Sequence, residues 1–171
     1  MDWRLRRAGP ADAAALSLVA GATFLEAFAG LLDGADIVAH VARNSSAAAF
    51  ERYMADGAIV TLAEARAGTA PVGYTLLTSP DLPVVPAPGD IELKRIYALF
   101  PLHGAGLGPA LMAQAIAAAR DADHRRLLLG VYGGNRRAQR FYEKQGFTVA
   151  GTRRFRVGET WHDDLIYARM L

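Results

Sequence analysis

The sequence predicts one α/β domain of the α+β kind, covering residues 1–171, and three observations carry that expectation. A chain of 171 residues with 52% hydrophobic composition can fill one core and is short for two. Strand and helix candidates alternate along it, with hairpin-joined strands before the middle and at the end. Ile91 to Asp121 then reads as an apolar strand, a glycine-rich loop and a long amphipathic helix. The first N–H groups of a helix lack intrahelical partners, and glycines let an anion approach them, so this stretch is a candidate phosphate cradle.

In chain order, Trp3 to Arg7 alternates as a short first strand, and Gly9-Pro10-Ala11-Asp12 opens a helix reaching about Gly30. Leu16, Val19, Ala20, Thr23, Phe24 and Ala27 recur along it at helical spacing and are expected to face the core. Asp33 to Val41 and Ser46 to Ala55 read as two further helices, the second capped by Ser45 or Ser46. Ala58 to Glu64 and Val72 to Thr78 form a hairpin over Ala65 to Pro71. Prolines break regular structure between Ser79 and Asp90, in a loop placed to edge a substrate entrance.

Along Ile91 to Phe100 the two-residue alternation slips near Lys94-Arg95, as a β-bulge would make it do. The following helix, beginning near Gly108 with Pro109 in its first turn, places Leu111, Met112, Ala115, Ile116 and Ala119 on one face. Arg126 to Val131 is a centrally buried strand. Asn135 caps a helix that carries Ala138 and Tyr142 along one side as a groove, turns Phe141 to the core, and ends at Gly146. Thr148 to Arg156 and Trp161 to Met170 close the chain as a hairpin over Val157-Gly158-Glu159-Thr160.

The spacing of the cradle counts against two common ligands. The sixth position from Gly104 is Pro109, where a dinucleotide fingerprint needs glycine, and no Gly-Lys-Ser/Thr follows for a P-loop. His103-Gly104-Ala105-Gly106-Leu107-Gly108, after Leu93 to Ala98, instead resembles the pyrophosphate loop of the GCN5-related N-acetyltransferases (GNAT). Asn135 to Phe147, NRRAQRFYEKQGF, resembles the second motif of the same family, and the two stand in the family's order.

The resemblance implies a mixed, mostly antiparallel sheet of six to seven strands, splayed at its central strand and flanked by about four helices. It implies acetyl-CoA as co-substrate, held by His103, Gly104, Ala105, Gly106, Leu107 and Gly108 at the pyrophosphate. The backbone of Ile96, Tyr97 and Ala98 would pair with the pantetheine arm in the gap that the bulge opens, beside Asn135, Ala138 and Tyr142. Tyr142 matches the family's general acid. Phe24, Glu26 and Phe28 fall where the family builds its acceptor pocket, and with the acidic Asp33 to Asp36 segment they resemble the branch that acetylates polyamines. His103 departs from the motif, which has Gln or Arg there, and a neutral imidazole is the weaker phosphate partner.

Acyl transfer to an amine needs a neutral nucleophile, a polarised carbonyl and a protonated leaving group. An alkylamine near pKa 10.4 must lose a proton, and Glu92, on the strand just before the splay, is the candidate base, acting through water. A phenol near pKa 10, Tyr142, can protonate a departing thiolate whose thiol has pKa about 8.5. Backbone N–H groups near Ile96 to Ala98 would polarise the thioester oxygen. The expected function is N-acetylation of a small-molecule primary amine, polyamine-like; the alternatives are a silent coenzyme A-binding regulatory module or an acetyltransferase of protein N-termini or lysines.

A formal charge of +2, from 19 basic and 17 acidic residues without a run, gives no sign of nucleic acid or an anionic membrane as partner. With no cysteine there is no disulfide framework or thiolate site, and His40, His124 and His162 lack ligand spacing, so no metal is expected. No signal pattern or span of membrane length is read, which makes cytoplasmic the expected location. The closing hairpin could pair across a homodimer.

Overall fold

The computed structural model describes the backbone of residues 1–157 and 160–171, and the side chains of all of these except 155–157, 160 and 162. The turn expected at Gly158-Glu159 lies outside the described residues. Among the described residues seven strands form one sheet: β1 (Trp3–Arg7), β2 (Ile59–Ala65), β3 (Pro71–Thr78), β4 (Asp90–Ala98), β5 (Arg126–Tyr132), β6 (Thr148–Val157) and β7 (Thr160–Met170), in the order β1-β2-β3-β4-β5-β7-β6. Every neighbouring pair is antiparallel except β4 and β5. Among the described residues five α-helices flank it, where about four were expected: α1 (Ala13–Phe28), α2 (Gly34–Asn44), α3 (Ala47–Ala55), α4 (Leu107–Asp121) and α5 (Arg136–Lys144).

The two sheet faces follow from the pleat. Val60, Leu62, Tyr74 and Leu76 bury against Leu16, Val19, Ala20 and Phe50 of α1 and α3. On the opposite face Ile59, Leu77, Ile91, Leu93, Leu127 and Leu129 bury against Met112, Ala115, Ile116 and Ala119 of α4, with Tyr142 of α5. The five expected core positions of α4 are all buried. Along α1 the expected stripe is buried from Leu16 to Phe24, but Ala27 is exposed because the helix has run past the sheet by then.

Residues Pro10–Phe28 are apolar enough over 19 residues, at mean hydropathy 1.4, to meet the length and composition of a membrane span, contrary to the expectation from sequence. In this fold Leu16, Val19 and Ala20 of that stretch are no more than 1% exposed and pack on the sheet, as a core helix does.

Several boundaries shift for local reasons. β4 stops at Ala98 rather than Phe100, because Pro101 sits in a 3-10 turn over Phe100–Leu102. Ser46, not Ser45, caps α3, its side chain accepting from the Ala49 N–H at 3.2 Å. Ser45 is instead buried against Arg95.

Candidate active site

The central feature is a fork. β4 and β5 pair in parallel at only three register positions, the last being Glu92 with Leu128. Beyond it, among the described residues, β4 continues to Ala98 paired only with β3, while β5 continues to Tyr132 paired only with β7. The cause lies in β4: Leu76 stands opposite Arg95 and Leu77 opposite Leu93, so Lys94 is an extra residue. This is the bulge expected from the slipped alternation, and it bends the strand away from β5.

Arg95 holds the bulge in place. Its guanidinium donates to the Asn44 carbonyl at 2.9 Å, the Ser45 hydroxyl at 3.3 Å and the Tyr53 hydroxyl at 3.3 Å, and lies 5.4 Å from the Tyr53 ring centroid. The α2–α3 junction is thus tied to β4. The sequence marks Arg95 only as part of the slipped alternation, since a long-range contact to backbone leaves no local signal. On the other side of Lys94 lies a cavity of about 170 Å³ lined by Tyr53, Asp56, Ala58, Thr78, Ser79 and Lys94.

At the exit of β4 the chain makes the expected loop. Gly104 and Gly106 have φ of 85° and 84°, and Gly106 is the N-cap of α4. An added Cβ at either would meet nothing within 4 Å, so the backbone is open to a ligand there. The His103 and Ala105 N–H groups donate to the Phe100 and Leu102 carbonyls, whereas those of Gly104, Gly106, Leu107 and Gly108 meet no acceptor among the described residues. Four unpartnered donors at a helix N-terminus, with space before them, fit a pyrophosphate.

His103 is placed otherwise than a phosphate partner: its Nε2 lies 2.9 Å from the Ala98 carbonyl, which can only accept, so Nε2 carries the proton. The ring thereby occupies a carbonyl at the end of the strand expected to pair with the pantetheine arm. Glu26 is likewise engaged, accepting from the Phe100 N–H at 2.9 Å and tying α1 to the start of the loop. Phe24 stacks on His40 at 4.3 Å and lies 4.5 Å from Phe28, so the two phenylalanines and His40 form one aromatic cluster between α1 and α2.

Across the fork, Asn135 caps α5 by accepting from the Ala138 N–H at 3.0 Å. Asn135 is exposed and Ala138 half-buried, as a groove wall requires; Phe141 packs on the core as expected while staying half-buried, but Tyr142 is buried rather than open along the groove. Tyr142 is buried, its ring 6.0 Å from Phe147 and 6.2 Å from Tyr167, while Phe141 is half-buried and its ring would sit 3.8 Å from a Cβ on Gly108. The Tyr142 hydroxyl has no hydrogen-bond partner among the described residues. Burial, with a smaller contribution from the nearby Tyr97 phenol, pushes its pKa well above the ordinary value. It is therefore protonated across the physiological range, the state a proton donor needs.

Glu92 is 4% exposed and accepts from the Asp81 N–H at 2.7 Å, so the proline-rich loop reaches back to the fork. On the same face, two residues past Leu128, Gly130 lies under the Arg153 side chain; a Cβ there would be 2.8 Å from Arg153 Nη2. Arg153 Nε donates to the buried Asp164 at 3.2 Å. A glycine inside the apolar run LLLGVY signals such a close approach, but it does not name the residue that approaches.

A forked sheet, an open glycine loop at a helix N-terminus and a buried phenol across the gap define an acyl-transfer fold, and the chain belongs to the acetyltransferase (GNAT) family, whose profile matches residues 31–147. It is an N-acetyltransferase that uses acetyl-CoA. An uncharacterised N-acetyltransferase of Mycobacterium tuberculosis is 38% identical over 160 residues, covering 94% of this chain and 98% of that protein. The PaiA N-acetyltransferase of Thermoplasma acidophilum, crystallised with coenzyme A, superposes with a TM-score of 0.80 at 20% identity over all of both chains. A ribosomal-protein-alanine N-acetyltransferase of Brucella melitensis gives 0.71 at 25% identity over 98% of this chain and 99% of that one.

Proposed function

We propose that this chain acetylates the primary amine of a small molecule by direct attack within a ternary complex, in the cytoplasm, where coenzyme A thioesters are at hand. The carrying observation is the fork, with an open phosphate cradle at the exit of β4; the buried carboxylate of Glu92 at its last shared rung and the buried phenol of Tyr142 on α5 support the reading. Bound there, acetyl-CoA supplies an acyl carbon activated by a thiolate leaving group. Glu92, through water, takes the proton from the attacking amine; N–H groups of Lys94 to Ala98 that lack a β5 partner polarise the carbonyl; Tyr142 gives its proton to the departing sulfur as the C–S bond breaks.

The polyamine reading receives less support than the amine reading. Glu26 is bonded to Phe100 and Asp33 caps α2 by accepting from the Ala35 N–H, so two of its acidic residues already serve the fold. The Brucella protein favours, as a second reading, acetylation of a protein N-terminus.

The test is thiol release from acetyl-CoA with spermidine, aminoglycosides, amino acids and peptides. Tyr142→Phe should lower kcat roughly 100-fold with coenzyme A binding retained. Unchanged turnover would remove Tyr142 from the acid role, and failure of every amine would leave a binding module.

A further inference from the structure

We propose that Arg137 of α5 supplies the cation that the glycine cradle lacks, its guanidinium reaching the pyrophosphate of coenzyme A bound there; this rests on the cradle being the phosphate site. From Ile96 to Ala119 the chain has no lysine or arginine, and the first on α4, Arg120, lies roughly 20 Å down the helix from Gly106. His103, which stands where the motif has Gln or Arg, is turned to the Ala98 carbonyl. The open N–H groups of the loop thus face an anion with no cationic side chain of their own segment beside them.

A neighbouring element can supply that charge, and the topology identifies it. β4 and β5 run parallel; α4 follows the one and α5 the other. α5 leads into β6, which begins level with Leu128, so it turns back from the open end of the fork as α4 does. Both helix N-termini therefore stand at that end. The Phe141 ring, in the second turn of α5, would lie 3.8 Å from a Cβ on Gly108, in the first turn of α4, and this fixes their relative level. Arg137 precedes Phe141 by four residues, on the same side of α5 and about 6 Å nearer its N-terminus. It overhangs the start of α4, ahead of the open N–H groups.

The other basic residues of α5 are placed differently. Arg136 and Arg140 line a groove with Gln139 and Glu143, on the side where Glu143 accepts from the Tyr167 hydroxyl of β7. Lys144 is in the last turn, below Phe141 and alongside the body of α4. Arg137 is exposed and makes no hydrogen bond or ion pair among the described residues, so its guanidinium is open to a ligand. Its planar fork matches two phosphate oxygens, a pairing that a neutral imidazole cannot make.

Binding is read by calorimetry on the full chain, with coenzyme A and with 3′-dephospho-coenzyme A, which keeps the pyrophosphate and lacks the ribose phosphate. Wild type, Arg137→Gln, Arg137→Lys and Arg140→Gln are compared, each with its melting temperature. Arg137→Gln should weaken both ligands roughly 10-fold while melting as wild type does, the loss expected for one charge-assisted contact. Arg137→Lys, a point charge in place of the fork, should recover part of that loss. Arg140→Gln should leave both affinities unchanged. Wild-type affinity should also fall more steeply with salt than that of Arg137→Gln.

The inference is overturned if Arg137→Gln binds both ligands as wild type does, or if Arg140→Gln weakens them equally, the mark of a diffuse field rather than a contact. Loss confined to coenzyme A would move the guanidinium to the ribose 3′-phosphate and overturn the pyrophosphate contact. Failure of the wild type to bind either ligand would sink the cradle itself, and this inference with it.

Discussion

At the residue scale, the site was most legible where one side chain does a job that its neighbours in sequence frame. Asn135 and the glycines of the loop belong to contiguous motifs, and Asn135 caps α5 and the glycines shape the start of α4 as read, whereas Tyr142 of the same motif is buried where a groove position was expected. The contacts of Arg95 and Arg153 left no local signal because their partners, Asn44 and Ser45 for one and Gly130 and Asp164 for the other, are far away in sequence or are backbone. His40 shows the same limit. Nothing near it suggests stacking on Phe24, yet burial, and then the charges of Arg95 and Arg43, lower its pKa below the ordinary 6.5.

That shift has a definite sign. A base whose native pKa lies below its unfolded value binds protons more readily when unfolded, so its contribution is complete above about pH 6.5 and is lost as pH falls below that. Protonation would also remove the acceptor at Nδ1, 3.3 Å from the Asn44 amide nitrogen. Denaturant midpoints should therefore decline as pH falls below about 6.5, and His40→Gln should flatten that limb; an unchanged limb would assign it to other groups.

At the element scale, the most informative sequence feature was a defect in a pattern. The slipped alternation of β4 marked the bulge, and the bulge makes the fork. Pairing order was not legible: no local signal places β7 between β5 and β6, since that depends on how the closing hairpin docks. Gly73 on β3 shows how tightly β4 is seated. A Cβ there would lie 2.8 Å from the Tyr97 carbonyl and 3.3 Å from Leu111 Cδ1. Gly73→Ala must push β4 or α4 aside, and should destabilise the fold by about 1–3 kcal/mol and weaken coenzyme A binding together. A variant that melts normally and binds normally would mean that β4 moves freely.

At the scale of the whole molecule, the sheet is anchored at its far edge by charge. Arg6 pairs with Asp12 at 2.6 Å and with Glu64 at 2.7 Å, and Arg4 pairs with Glu64 at 2.9 Å, joining β1, β2 and the start of α1. Hydrogen bonding from Arg6 pulls the Asp12 carboxyl down to about 2 and lowers that of Glu64 below its ordinary 4.5; Arg126 lowers Asp90 in the same way beside the fork. Carboxyls with depressed native pKa stabilise above their unfolded values and lose that contribution as pH falls towards their native ones. Acid unfolding should thus set in below about pH 4.5, separate from the His40 limb, and Glu64→Gln should soften it.

The fork has a mechanical consequence. Strands β1 to β4 and strands β5 to β7 share backbone pairing over three register positions, so the sheet is two plates riveted at one end. A strand-like ligand arm lying in the gap adds the missing rungs between the plates. Occupancy and rigidity then become one quantity: the melting temperature climbs with ligand concentration, and amide exchange slows first along Lys94 to Ala98 and Leu129 to Tyr132.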